Sequence, residues 1–193
     1  AVRIAVTGCG GFIGGAVLSL ARRESWDAFG LARRADGPDI IACDLRVPEE
    51  SAQALNGRGI DCVVHAAAAT RRDAPDVEAC YANNVDSTLN IARAAIASGV
   101  KCLIFLSSAS VYGRSYDIHS GGENESAAAD WYARSKEACE KELKDLSANL
   151  QIVVLRLPSV LGPGKSSPDV VTDMVRQISA TGIAEVHGSG NAR

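Results

Sequence analysis

Tyr132 and Lys136 stand four residues apart in a stretch, Trp131 to Leu146, that reads as a helix. At that spacing both side chains lie on one face, one turn apart. A phenol with a pKa of about 10 is a poor base at neutral pH. An ammonium beside it stabilises the phenolate and lowers that pKa. The pair can then exchange a proton with a carbinol oxygen while hydride moves at the attached carbon. The same spacing also suits a helix with a partly buried aromatic and a solvated lysine, so its neighbours must give it meaning. The run Leu106-Ser-Ser-Ala-Ser-Val-Tyr-Gly113 sets hydroxyls at the end of an apolar segment, Lys101 to Leu106. A serine there can hydrogen-bond the oxygen that Tyr132 protonates; the plain alternative is a serine-rich turn.

The second constellation is Thr7-Gly-Cys-Gly-Gly-Phe-Ile-Gly14. It follows an apolar run, Val2 to Val6, that reads as a buried strand, and it leads into a helix, Ala16-Val-Leu-Ser-Leu-Ala-Arg. Gly8 has no Cβ and can turn the chain sharply off the strand. Gly11 lets the backbone approach a diphosphate, and Gly14 lets the helix pack closely on the strand. The helix N-terminus then offers free N–H groups and a positive dipole end to phosphates. The spacing is G-x-x-G-x-x-G, with Ile13 where G-x-G-x-x-G would place its last glycine. A strand, glycine turn and helix in that order favour a dinucleotide site over a mere connection. The next strand, Ala28 to Ala32, ends in Arg33-Arg34 and not in an acid for a ribose 2′-hydroxyl. Guanidinium groups can hold a 2′-phosphate by bidentate, charge-assisted bonds, which favours NADP over NAD. Otherwise these arginines are solvated loop charges, with Asp36 displaced but available.

Further strands are expected at Asp39–Cys43, Asp61–His65, Lys101–Leu106 and Gln151–Leu157. Between them lie helices at Pro48–Leu55, at 76–98 with Gly99 as its stop, at Trp131–Leu146, and at Asp169–Ser179 opened by Pro168. One side of the 131–146 helix should carry Ala128, Tyr132, Ala138, Cys139, Leu143 and Leu146. Residues 113–129 show no periodicity and read as a surface loop. Continuous apolar strands alternating with helices mean an α/β, doubly wound parallel sheet of Rossmann type, with helices on both faces. The 193 residues suffice for one such domain, and 47% apolar content argues against disorder. Twenty basic against 23 acidic residues, a net charge of −3, give no case for nucleic-acid binding. No apolar run is long enough for a membrane span, and no signal peptide is expected before the first strand. Six scattered cysteines without a C-x-x-C pair read as reduced thiols of a cytoplasmic protein with no metal site.

Together the motifs resemble the extended short-chain dehydrogenase/reductase group, the NAD-dependent epimerase/dehydratase family. Gly8 to Gly14 resembles its nucleotide loop, with Gly8, Gly11, Phe12, Ile13 and Gly14 as cofactor contacts. Asp44-Leu45 resembles its adenine-contacting pair, and His65-Ala-Ala-Ala68 its H-x-A-A segment, placing Ala66, Ala67 and Ala68 beside the cofactor. Asn84-Val85, Thr88 and Asn90 resemble its N-V-x-x-T-x-N helix, with Asn84 among the cofactor residues. The serine segment, Tyr132/Lys136 and Arg156-Leu-Pro-Ser-Val-Leu-Gly-Pro163 follow in the family's order. The resemblance implies a catalytic trio of Ser108, Tyr132 and Lys136, the last two also touching the cofactor. Pro158 to Val160 would lie near the nicotinamide, and His65 would be structural rather than a base.

The resemblance further implies hydride transfer at a carbinol carbon, as an epimerase or a reductase/dehydrogenase, on a small molecule of nucleotide-sugar type. The family's 4,6-dehydratases carry Thr-Asp-Glu before the Val-Tyr-Gly turn; Ser108-Ala109-Ser110 supplies no such acid/base pair. A reductase of a non-sugar ketone or alcohol and a non-catalytic NAD(P)-binding sensor are the alternatives. A homodimer through the helices at 76–98 and 131–146 is expected. The family's small substrate domain would begin after about residue 162, and most of it would follow Val186-His-Gly-Ser-Gly-Asn-Ala-Arg193. Substrate choice would fall to that part and to the loop Arg114 to Asp130.

Overall fold

A computed structural model describes residues 2–70, 77–112, 131–165 and 170–185. The chain divides into two compact units, Ala1–Pro158 and Ser159–Arg193. The first unit runs β1 (Arg3–Thr7), α1 (Phe12–Arg23), β2 (Asp27–Ala32), β3 (Ile40–Ala42), α2 (Pro48–Leu55) and β4 (Cys62–His65). It continues with α3 (Val77–Ala97), β5 (Cys102–Ser108), a 3-10 turn (Ala109–Tyr112), α4 (Trp131–Leu146) and β6 (Gln151–Leu157). All strand pairs are parallel, in the order β3-β2-β1-β4-β5-β6.

Both faces of the sheet are covered, so its strands need apolar residues at successive positions rather than alternate ones. Ile4, Val6 and Val64 point to one face and pack with Leu18 and Ala21 of α1. Ala5, Leu31, Val63, Leu103 and Phe105 point to the other. There they meet Leu55 of α2, Ile91 and Ala95 of α3, and Cys139 and Leu143 of α4. The doubly wound reading therefore holds. The six cysteines are free thiols, and burial pushes those of Cys43 and Cys62 up to about 11 and about 12.

Several boundaries differ from expectation. Helix α1 starts at Phe12 rather than Ala16, because Gly11 already takes the cap position and its carbonyl accepts the N–H of Gly15 at 2.9 Å. Strand β5 runs on through Ser107 and Ser108, because β6 pairs with it to the end: Ser107 stands beside Arg156 and Ser108 beside Leu157. Strand β3 is trimmed to three residues. On α4 the buried residues include Ser135 and Lys136 as well as Cys139 and Leu143, with Ala138 and Leu146 partly buried. In the second unit, α5 (Val170–Thr181) outlasts the expected end at Ser179 and closes at Gly182, φ 78°. The expected loop 113–129, Ala128, the helix starts at Asp76 and Asp169 with Pro168, and the 186–193 segment lie outside the described residues. Among the described residues, no helix is long and apolar enough to cross a membrane.

The glycines of the first loop differ in what a side chain would meet. A Cβ on Gly14 would lie 2.3 Å from the carbonyl oxygen of Gly8, whereas one on Gly10 meets nothing within 4 Å. Gly14→Ala should therefore cost about 1–3 kcal/mol, the range for forced overpacking. Gly10→Ala should stay within about 0.5 kcal/mol. Urea unfolding of the two variants checks this; equal losses would contradict the packing role of Gly14.

Candidate active site

A parallel sheet brings the carboxyl ends of its strands to one edge. In this order the direction of winding reverses between β1 and β4. Loops leaving those strands diverge and open a crevice. Gly8 leaves β1 at φ 65°, and its N–H donates to the carbonyl of Leu31 at 3.1 Å. A Cβ on Gly8 would fall 2.7 Å from the backbone N of Ala67, so the glycine loop and the Ala66–Ala68 segment touch backbone to backbone. Gly11 caps α1 with an extended backbone; no side chain caps this helix and no acid stands in its first turn. Its first N–H groups and positive dipole end suit a phosphate. Phe12 and Ile13 open the helix, half-buried, and Gly14 is buried behind them.

Arg33 and Arg34 follow β2 and are exposed. Asp44, after β3, has its carboxylate occupied: Arg46 donates its backbone N–H at 3.0 Å and its guanidinium at 2.9 and 2.5 Å. These hydrogen bonds, with the charges of Arg46 and Arg33 adding, hold Asp44 down to about 2. Leu45 is buried, and its carbonyl accepts from Asn90 Nδ2 at 2.9 Å.

His65, at the end of β4, is fully buried and stacks on Phe105 with ring centroids 5.8 Å apart. Its Nδ1 lies 2.7 Å from Thr7 Oγ1 and its Nε2 3.0 Å from Thr88 Oγ1. Thr88 Oγ1 donates its proton to the carbonyl of Asn84 at 2.7 Å, so it accepts from Nε2–H. Nδ1 is then the acceptor for the hydroxyl of Thr7, whose oxygen in turn accepts the N–H of Ala67 at 3.1 Å. Every polar atom is satisfied with the ring neutral. Burial, then the nearby charge of Lys136, pushes its pKa down to about 3. Asn84 is also buried, and its amide is engaged by the chain. Oδ1 accepts from the N–H of Ala69 at 2.7 Å, and Nδ2 donates to the carbonyl of Ala69 at 3.1 Å and to Ser135 Oγ at 2.9 Å.

Lys136 is not the solvated lysine of the plain reading: it is 2% exposed. Its Nζ donates to the carbonyl of Leu106 at 2.8 Å, 4.6 Å from the ring centroid of Phe105 and 5.9 Å from that of Tyr132. Burial lowers its pKa from 10.5 to about 8. The ammonium thus joins the end of β5 to the first turn of α4. Tyr132 is half-buried there, and its carbonyl accepts from Ser135 Oγ at 2.8 Å. Ser108 ends β5, half-buried, with its Oγ accepting from the backbone N–H and hydroxyl of Ser110 at 3.2 and 2.8 Å. Pro158 follows β6 in the same unit, while Val160 belongs to the second unit. Sequence reasoning passed over Glu140, which accepts from Ser107 Oγ at 2.5 Å and from Arg156 Nη2 at 2.7 Å. The signal was present: Tyr132, Lys136 and Glu140 recur every four residues on one helix. Among the described residues, no group of three or more His, Cys, Asp or Glu could hold a metal ion.

The model of the NAD dependent epimerase/dehydratase family matches residues 4–193. The chain belongs to this family. Its relatives include the UDP-glucose 4-epimerase of Vibrio cholerae, 30% identical over 174 residues, with 83% of this chain and 52% of that protein aligned. The sterol-4-alpha-carboxylate 3-dehydrogenase (decarboxylating) of Dictyostelium discoideum is 26% identical over 173 residues, covering 81% of this chain and 53% of that one. Among solved structures, the UDP-glucose 4-epimerase of Thermus thermophilus in complex with NAD superposes with a TM-score of 0.78 at 25% identity. That match covers 93% of this chain and 63% of the other. The chain thus spans about half the length of these curated epimerase/dehydratase relatives.

The neutral imidazole of this family member fixes a pH window. The unfolded chain takes a proton on His65 below about 6.5, the folded chain only near about 3. Where the unfolded state binds more protons, stability rises with pH. His65's contribution is complete above the upper value and is lost as pH falls toward the lower one. Urea unfolding between about pH 4 and 6 should therefore show a slope larger by about one proton than in His65→Asn. The ring resonance of His65, assigned by its loss in that variant, should keep its neutral position down to about pH 5; a midpoint near 6.5 would contradict this.

Proposed function

We propose that this chain carries the nucleotide site and proton-transfer residues of an NAD(P)-dependent epimerase or dehydrogenase acting at a carbinol carbon of a nucleotide sugar. One observation carries the reading: the Lys136 ammonium, buried between Phe105 and Tyr132, is clamped to the carboxyl end of the strand that bears Ser108. The glycine cradle fits a dinucleotide, since Gly8 and Gly14 leave no room for side chains and no side chain caps the α1 terminus. The diphosphate would rest on Gly8, Gly11, Phe12, Ile13 and Gly14. Asp44 and Leu45 would border the adenine, and Ala66 to Ala68 the middle of the cofactor, with Asn84 holding that segment from behind. Pro158 would flank the nicotinamide.

When bound, the nicotinamide supplies the hydride acceptor or donor at C4. Ser108 orients the substrate oxygen by a hydrogen bond. Tyr132, as phenolate, takes the hydroxyl proton when the carbinol is oxidised and returns it on reduction. Lys136 favours the phenolate by its charge and would be among the residues that hold the nicotinamide ribose. The segment Ser108-Ala109-Ser110 offers no carboxyl group for dehydration. The match to a sterol dehydrogenase favours a second reading, oxidation of a non-sugar carbinol by the same three residues. A binding-only sensor would have no use for the buried lysine beside a tyrosine.

Arg33 and Arg34 favour NADP in this proposal, and the region after about residue 162 is assigned to substrate binding. A homodimer through α3 and α4 is part of it. Tyr81 is 48% exposed in a groove with Glu78, Asp86, Trp131 and Arg134. Sedimentation should give twice the chain mass; a monomer would remove the dimer.

Tyr132→Phe should lower cofactor reduction by UDP-glucose or UDP-galactose by about 10²–10⁴-fold, as for loss of a proton-transfer group, while NADH affinity is kept. Unchanged turnover would overturn the role of Tyr132. In the same titrations, Arg33→Ala with Arg34→Ala should weaken NADP about 10- to 100-fold, as for lost bonds between charged groups, and leave NAD unchanged. A wild-type preference for NAD would count against these arginines.

A further inference from the structure

We propose that Glu140, gripped by Ser107 and Arg156, is a positioning residue that sets the helix bearing Tyr132 and Lys136 against the strand bearing Ser108. This inference rests on the hydride-transfer reading of the site. Glu140 follows Lys136 by one helical turn and Tyr132 by two. Its side chain is only 14% exposed, and its carboxylate receives donors from both neighbouring strands. Ser107 Oγ donates to Oε1 at 2.5 Å. Arg156 donates Nε to Oε1 and Oε2 at 3.1 and 3.2 Å, and Nη2 to Oε2 at 2.7 Å.

Ser107 precedes Ser108 and lies in register with Arg156. The guanidinium of Arg156 also sits 4.7 Å from the ring centroid of Tyr112, at the end of the 3-10 turn that leaves Ser108. One carboxylate therefore ties α4, β5 and β6 together, and through Arg156 the turn as well. The meeting point is where the substrate oxygen, Tyr132 and Lys136 must be brought into line.

An ion pair of this burial is weak evidence for stability, since apolar side chains of the same volume often serve as well. An apolar side chain would, however, leave the hydroxyl of Ser107 without an acceptor and the two strands free to choose their offset from the helix. Hydride and proton transfer are sensitive to that offset: a misplacement of about 1 Å can cost about 10²-fold in rate. The fork of Arg156 makes the grip directional, which a lysine would not. The charge of Glu140 also favours the ammonium form of Lys136. Glu140 thus acts on the site through geometry first and charge second, without touching substrate.

The test uses the full chain with three variants, Ser107→Ala, Glu140→Gln and Arg156→Lys. Cofactor reduction is followed on adding UDP-glucose or UDP-galactose, with NADH affinity and thermal midpoint measured beside it. Glu140→Gln should lose about 10- to 100-fold in kcat with KM and NADH affinity within about twofold. Arg156→Lys, which keeps the charge but not the fork, should recover only part of the rate. Ser107→Ala removes no charge and disturbs folding least, so it keeps the test open should Glu140→Gln fail to fold. A second arm needs no turnover: the tyrosinate absorbance of each protein minus that of its Tyr132→Phe counterpart gives the midpoint of Tyr132. In Ser107→Ala that midpoint should move by about half a unit or more. Unchanged kcat and an unchanged midpoint in Ser107→Ala and Glu140→Gln overturn the proposal, as does a rate loss fully accounted for by the unfolded fraction. A wild-type chain inert toward both UDP-hexoses would sink the substrate reading alone, and the tyrosinate midpoints would still decide the role of Glu140.

Discussion

An ammonium buried beneath an apolar sheet edge is the constraint on which the rest of this unit turns. Lys136 can stay there because the carbonyl of Leu106 accepts from it and the rings of Phe105 and Tyr132 face it. Burial of this kind opposes the charge and lowers the pKa to about 8. A lysine buried against a carbonyl acceptor and two ring faces is poorly stabilised as a structural element alone. As the partner of a phenol it makes sense, because a weakly solvated positive charge acts strongly on a neighbouring oxygen. Placing it requires the end of β5 and the first turn of α4 to meet, and that fixes where Ser108 and Tyr132 stand.

A second polar spine runs through the same core and links the glycine loop to the tyrosine. It passes from the N–H of Ala67 to Thr7, then to His65, Thr88 and the carbonyl of Asn84. The amide of Asn84 continues it to Ser135, whose hydroxyl donates to the carbonyl of Tyr132. Each member is buried or nearly so, and each donor has an acceptor. Such a network is costly if broken at any link. It holds the Ala66–Ala69 segment, the glycine turn and the start of α4 in one arrangement. The neutral histidine at its centre is a connector, and a proton added to Nδ1 would take away the acceptor of the Thr7 hydroxyl.

The family's chemistry fits these two devices without addition. Hydride transfer at a carbinol needs a proton-transfer group beside the reacting oxygen, and Tyr, like His or Lys, can be that group. The two curated relatives, one named for a UDP-sugar and one for a sterol, differ in what they act upon.

The sequence by itself determined the winding of the fold, the glycine turn and the Tyr132/Lys136 pair. Those follow from short-range rules: apolar runs spaced by helices, a glycine where φ is positive, and side chains four apart on one helical face. Even the bounds of α2, α4 and β6 were legible, with Pro48 and Pro158 marking two of them locally. Tertiary structure alone decided that β5 runs through Ser107 and Ser108, because β6 pairs with it there. It alone decided that Lys136 is buried, that His65 is neutral and doubly bonded, and that Glu140 meets Ser107 and Arg156. Each of these joins residues distant in the chain, where no local propensity acts and only the packing of the sheet against α3 and α4 brings donor to acceptor.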